Sequence, residues 1–141
     1  MQELKALTVR QPWAWALVMG YKDVENRNRP TNHRGILLIH AGLELDPGGF
    51  VSLWELDLYG KLPSSLPRGG LIGTVTVVDC IKGADSEWAV PGKWQWILSR
   101  PTEFRGLLEC RGGQGLFAPA VSAIAVGQAR RHEISHRRRS L

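Results

Sequence analysis

Between Leu7 and Arg27 the chain reads as strand, turn, short apolar helix, glycine stop and second strand, and this order constrains the fold more than any other stretch. Pro12 suits the first position of a helix, where its missing backbone donor would have gone unpaired and its fixed φ is already near helical. Gly20 suits the far end, because glycine adopts the left-handed conformation that closes a helix. Every residue from Trp13 to Met19 is apolar, so the helix is expected to be buried on more than one side. Lys22, Glu25 and Arg27 follow directly behind it and bring charge to the edge of that buried segment.

The remaining elements follow from periodicity and punctuation. Ala6 to Arg10 alternates and carries Leu, Thr and Val, as a first strand does. Val24 between charges predicts a second strand exposed on one face, and Asn26 to Arg34 reads as a polar loop. Ile36 to His40 is apolar enough for a strand covered on both faces. Asp46-Pro47 is a helix opening, cap then first position, with Phe50, Leu53, Trp54 and Leu58 at helical spacing and Gly60 as the stop. Residues 61–69 read as a linker loop. Leu71 to Ile81, rich in Val, Ile and Thr, is the strongest strand, and Gly73 marks a bulge within it. Lys82 to Lys93 is a long polar excursion around Trp88, the kind of loop that acts as a lid or specificity element. Trp94 to Leu98 is a further strand. Pro101 to Arg111 stays open, with a short strand at Leu107-Leu108 as one reading. A glycine turn from Gly112 to Gly115 leads into Leu116-Phe117, and Pro119 opens a last helix through Ala129.

Short strands interleaved with two to three flanking helices predict an α+β fold, a small β-barrel or a strongly curled mixed sheet, and exclude a doubly wound parallel sheet. The expected division is one domain over residues 1–118, then a C-terminal helix and basic tail over 119–141.

A chain of 141 residues that is 43% hydrophobic and holds six tryptophans is expected to form one core. It can bury about two-thirds of its unfolded surface without disulfides or a structural metal. No apolar run approaches the ~20 residues needed to cross a bilayer, and the first five residues lack the layout of a signal peptide. A soluble, cytoplasmic protein with no membrane partner is the expectation. Cys80 and Cys110 show no C-x-x-C spacing and no nearby paired histidines, so free thiols are expected, with no metal and no cofactor. The net charge of +5 is uneven, because residues 130–139 carry five arginines against one glutamate. Such a run attracts phosphate backbones without reading sequence; a merely solvated tail is the competing reading.

Lys22 and Glu25 are the sharpest chemical pair. A lysine behind a buried helix is partly desolvated, and a carboxylate nearby either holds it protonated as an anion clamp or exchanges protons with it. In a regular strand the two would face opposite sides, so both line one cleft only if Lys22 lies in the turn before the strand. A surface pair of Glu25 with Arg27 beside a solvated lysine is the structural alternative. Among the tryptophans, Trp13, Trp15, Trp94 and Trp96 offer faces on which bases stack, each worth about 1–3 kcal/mol, although most tryptophans in a protein of this size are packing residues. One or two of the six are expected to touch a ligand, and Trp94 or Trp96 only from the face opposite the core. His40 ends an apolar strand, where a structural role is the favoured reading.

The order Gln11-Pro12-Trp13-Ala14, then Gly20, Lys22, Glu25 and Arg27 as G-x-K-x-x-E-x-R, resembles the ASCH domain, the activating-signal-cointegrator homology domain of the PUA-like superfamily. His33-Arg34-Gly35, Leu71-Ile72-Gly73-Thr74-Val75 with Val78-Asp79-Cys80, and Gly113-Gln114-Gly115-Leu116-Phe117 agree, so the resemblance spans roughly residues 5 to 118. It implies a small β-barrel with flanking helices and a cleft associated with RNA or modified nucleobases. The candidate nucleic-acid or nucleotide-binding residues are Gln11, Trp13, Lys22, Glu25, Arg27, His40 and Trp94. RNA or a modified nucleoside is the expected partner and single-stranded DNA a second choice.

The resemblance also implies an enzymatic alternative, a metal-independent hydrolase or ribonuclease with Lys22 and Glu25 as catalytic residues. In the related N4-acetylcytidine amidohydrolases the corresponding segment is G-x-K-x-x-T-x-R. Here Glu25 stands where that pattern has threonine, and a carboxylate replaces a proton-donating hydroxyl only when itself protonated. A third reading is a protein-interaction domain that uses the Lys61 to Gly70 loop and exposed aromatics.

Overall fold

A computed structural model of the chain describes residues 3–130. Its strands are β1 (Ala6–Gln11), β2 (Val24–Arg27), β3 (Gly35–Leu45), β4 (Gly70–Lys82), β5 (Trp94–Glu109) and β6 (Leu116–Phe117), with helices α1 (Trp13–Val18) and α2 (Pro47–Glu55). A short 3-10 turn at Tyr59–Lys61 follows α2, and residues 123–130 are helical. The strands form one sheet in the order β2-β5-β4-β3-β1-β6. It is mixed, because β1 runs parallel to β3 while every other pairing is antiparallel.

The sheet is strongly curled. β2 and β1 lie four places apart in the strand order, a separation of about 19 Å in a flat sheet. Yet a guanidinium Nη of Arg27 on β2 donates to the Thr8 carbonyl on β1 at 3.1 Å. One side chain therefore bridges the seam of a barrel that strand pairing leaves open.

Alternation along β3 separates two cores. Leu37 and Ile39 join Leu7, Val9, Val75 and Trp96 around α1 in the hollow of the sheet. Leu38 faces the other way, with Ala6, Leu71, Phe104 and Val126. A third cluster joins Trp15 and Ala16 of α1 to Val24, Leu53 of α2 and Trp88. Helix α1 is thus buried on two sides, as its unbroken apolar sequence requires.

Several boundaries differ from the sequence expectation. Pro12 precedes α1 and occupies the cap position. It has no side-chain acceptor to offer, and the Gln11 carboxamide oxygen caps instead, accepting from the Trp15 N–H at 2.8 Å. At the other end Gly20 takes φ +82. There the Tyr21 N–H reaches the Ala16 carbonyl at 3.0 Å and the Gly20 N–H reaches Leu17 at 3.2 Å, the paired bonds of a Schellman stop.

Asp46 caps α2, accepting from the Gly48 N–H at 3.1 Å with Pro47 next in line. The helix ends at Glu55 rather than at Gly60, because Asp57, with φ 61, adopts the left-handed stop. Trp54 then projects outward and does not share the buried side of Leu53.

β5 runs through Pro101, where the sequence left the assignment open. Its pairing with β4 is interrupted between Thr74 and Thr76 opposite Arg100 and Pro101, a bulge where proline costs no ladder bond. Gly73 borders a second irregularity, as its sequence context predicts. The last helix begins at residue 123 rather than at Pro119, capped by the Ser122 hydroxyl, which accepts from the Ala125 N–H at 3.0 Å. Val126 and Ala129 pack it onto the second core. Beyond Arg130, the basic run lies outside the described residues.

Candidate functional site

The Schellman stop turns the chain sharply enough that Lys22 lies before β2 begins, which puts it on the same side as Glu25. Both are buried, at 6% and 7% exposure. The Lys22 ammonium donates to the Val24 carbonyl at 2.7 Å and to Glu25 Oε1 at 3.4 Å. It also lies 5.5 Å from the centre of the Trp13 ring, within cation–π range. Glu25 Oε2 accepts from Arg27 Nε at 2.9 Å, so one carboxylate is held between two cations. Glu25 and Arg27 share a strand face, as a two-residue spacing demands. Burial pushes the Lys22 pKa down from the ordinary lysine value, and the Glu25 carboxylate opposes that shift.

This triad lines a cavity of about 820 Å³ at the open seam. Thr8 and Arg10 of β1 form one wall and Arg27 and Asn28 the other, with Trp13, Glu55 and Trp88 closing the remainder. Trp13 stands edge-to-face with Trp88, ring centres 5.8 Å apart at 84°. Its indole N–H donates to Asp46 Oδ2 at 2.7 Å, so the α2 cap also fixes the ring. The cavity lining is balanced in charge, with Arg10, Lys22, Arg27 and Lys93 against Glu25, Asp46, Glu55 and Glu87.

Four of the seven candidate residues, Trp13, Lys22, Glu25 and Arg27, come together here. The other three do not line this cavity. Gln11 is fully buried, and its amide nitrogen donates to the Pro67 carbonyl at 3.0 Å. His40 is buried between Thr8 Oγ1, 3.2 Å from Nδ1, and the Cys110 carbonyl, 2.8 Å from Nε2. Trp94 packs against the edge of the main core with the Lys82 ammonium 5.1 Å from its ring centre. Trp96 is core, and its indole N–H is satisfied by the Arg29 carbonyl at 3.2 Å.

Sequence reasoning placed Trp88 in a loop of interest but had no signal tying it to Trp13. That loop is pinned rather than open. Asn26 donates to the Trp88 carbonyl at 2.9 Å and accepts from the Val90 N–H at 2.9 Å. Gln95, 1% exposed, spans the loop base, donating to the Lys93 and Val90 carbonyls and accepting from the Ala84 N–H at 3.1 Å. Ser86 ties the other side to Asp23 at 2.6 Å. Replacing Gln95 by leucine removes the partners of the Ala84 N–H and the Lys93 carbonyl, while the Val90 carbonyl keeps the Lys93 N–H at 3.2 Å, and is expected to cost about 2 kcal/mol. Hydrogen exchange at Ala84 should accelerate while exchange in α1 is unchanged; unaltered exchange at Ala84 would refute this clamp.

Among the described residues no cluster of His, Cys, Asp or Glu side chains is placed to hold a metal ion. No helix there is long and apolar enough to cross a membrane.

Comparison with known proteins agrees with this architecture. Activating signal cointegrator 1 of Homo sapiens is 41% identical over 81 residues, covering 53% of this chain and 14% of that protein. The Mus musculus protein of the same name is 42% identical over 81 residues, with the same coverage of each chain. This chain therefore spans a small part of those relatives. The crystal structure of a point mutant of the ZmASCH protein from Zymomonas mobilis superposes with a TM-score of 0.55 at 14% identity, covering 90% of this chain and 96% of that one, and supports the fold. The family model for the ASCH domain matches residues 7–105, which hold β1, α1, the Lys22–Glu25–Arg27 triad and most of the sheet, and the chain belongs to the ASCH domain family.

Proposed function

We propose that the seam cavity binds a nucleobase or nucleoside of single-stranded RNA. The observation that carries this reading is the convergence of Lys22, Glu25 and Arg27 with the Trp13–Trp88 pair in one space. Its volume of about 820 Å³ is in the range of small-molecule sites. Balanced charge suits a neutral base with donors and acceptors on its edge better than a phosphate. Trp13 supplies an aromatic wall, and the exposed part of Arg27 can donate to a base edge. Membership in a family associated with RNA binding supports the same ligand class. General attraction to the phosphates is assigned to the arginines of residues 130–139.

Two binding measurements test the assignment. Affinity for single-stranded RNA should fall steeply between low and physiological salt, whereas affinity for a free nucleoside should stay nearly flat. Trp13→Ala should weaken the nucleoside by about 1–3 kcal/mol. Absence of binding at micromolar protein, or a preference for inorganic phosphate over every nucleoside, would overturn the reading. Single-stranded DNA of the same sequence decides whether the ribose matters.

The hydrolase alternative is favoured by one observation, the buried Lys22 whose ammonium is pushed toward neutrality beside Glu25. A lysine so placed is a better proton-transfer group than a surface lysine. Labelled RNA and a panel of acylated nucleosides incubated in chelator distinguish the two readings. Turnover that disappears in Lys22→Ala supports the enzyme, and intact substrates support a binding module.

A further inference from the structure

Six large apolar side chains left exposed fall between Leu43 and Tyr59: Leu43, Leu45, Val51, Trp54, Leu56 and Tyr59. On α2 the buried residues are Gly49 and Leu53, whereas Val51 and Trp54 are 56% and 71% exposed. With the exposed Pro47 they form a stripe at i, i+4 and i+7 on the outer side of the helix. An apolar concentration of this kind on a protein surface marks an interaction site.

Charge says what kind of partner covers it. Along α2 and the turn after it, from Pro47 to Tyr59, the chain carries Glu55 and Asp57 and no basic residue, although the whole chain has a net charge of +5. At the Leu43–Glu44 end Arg10 and Arg68, the latter donating to the Leu43 carbonyl at 2.9 Å, offset the acids. Glu44 is paired with Arg10 at 3.0 Å, and Asp46 is occupied by Trp13 and the α2 N-terminus. Glu55 and Asp57 have no ion-pair partner among the described residues. A second copy docking through the same patch would set acids against acids across a two-fold axis. Nucleic-acid phosphates and anionic lipid headgroups meet the same repulsion.

We propose that the outer face of α2 docks a basic, apolar segment of a second protein, with Trp54 and Val51 as anchors and Glu55 and Asp57 meeting its Lys or Arg side chains. Aromatic anchors ringed by complementary charge are the usual arrangement of strong protein contacts. Because Ser52, Glu55 and Leu56 also line the seam cavity, the docked segment would lie beside the cleft mouth.

A displayed library of random peptides, panned against the full chain, is the test. Enriched peptides are expected to carry net positive charge and apolar residues, and to bind about tenfold or more weakly to Trp54→Ser. A Glu55→Lys, Asp57→Lys double variant should lose the same peptides. Trp54 is exposed, so Trp54→Ser should melt like the parent, which confirms that the loss is local. The proposal is overturned if no peptide is enriched, if enriched peptides are acidic or neutral, or if both variants retain them. It is also overturned if Trp54→Ser abolishes self-association in sedimentation, RNA binding or vesicle binding instead, because the face would then belong to that partner.

Discussion

Replacing Gly73 by alanine is expected to destabilise the protein by about 3 kcal/mol or more, and with it to remove ligand binding. A Cβ at this position would lie 2.1 Å from the Thr102 carbonyl oxygen and within 2.9 Å of Val18 on α1. The carbonyl is backbone of β5 and retreats only if the β4–β5 pairing opens; Val18 retreats only if α1 lifts from the sheet. Neither is cheap in a close-packed interior. Lifting α1 also moves the Schellman stop at its end, and that stop is what delivers Lys22 to the cavity. Denaturant midpoints measured beside Gly60→Ala, where a Cβ meets nothing within 4 Å, separate the steric cause from a general effect of losing glycine. Equal midpoints for the two variants would show that α1 does not rest on the sheet at Gly73.

Glu25→Ala is the second large effect. It leaves the Lys22 ammonium buried against Trp13 and the Val24 carbonyl with only the weaker influence of the Asp23 carboxylate to balance it. Breaking a buried ion pair from one side costs about 3–5 kcal/mol, and the lower end fits here because Arg27 keeps its bond to Thr8.

The loss should depend on pH in a definite direction. Lys22 already has a folded pKa below its unfolded value of about 10.4. Between those two values the unfolded chain binds more protons than the native one, so stability rises with pH across that window. The burial penalty is fully present below the folded pKa and is relieved as pH climbs through it. Removing Glu25 takes away the largest influence holding the pKa up, so the window widens downward and the variant should regain stability on alkalinisation over a broader range than the parent. Urea denaturation at several values between about pH 7 and pH 10 reads this out. A variant with parental stability and a parental pH profile would mean that the carboxylate does not support Lys22. In binding, the same variant should change the preference among nucleosides while leaving the salt slope for RNA intact, because the slope counts phosphate contacts.

How much of this was legible in the sequence depends on the range of the interaction. The α1 segment, its glycine stop, the Asp46 cap and the strong β4 strand all follow from residues within a few positions of one another, and the α+β class follows from the order of such elements. The Lys22–Glu25 pairing was legible as a condition, since spacing alone says that both face one cleft only if a turn intervenes. The route of β5 through Pro101 was not legible, because whether a proline ends a strand depends on whether its partner strand has a bulge opposite. Nor were the internal hydrogen bonds of Gln11 and His40, whose partners Pro67 and Cys110 lie far along the chain.

By itself, then, the sequence determined the local elements and the chemical identity of the triad, because helix stops, caps and strand alternation are set by near neighbours. Only the tertiary structure decided that β1 and β2, four places apart in the sheet, curl round to form one seam bridged by Arg27. It likewise decided that Trp88 stands against Trp13 and that Trp54 is left exposed. The physical reason is that each of these depends on which distant surfaces the closing sheet brings together, and neither periodicity nor spacing encodes that distance.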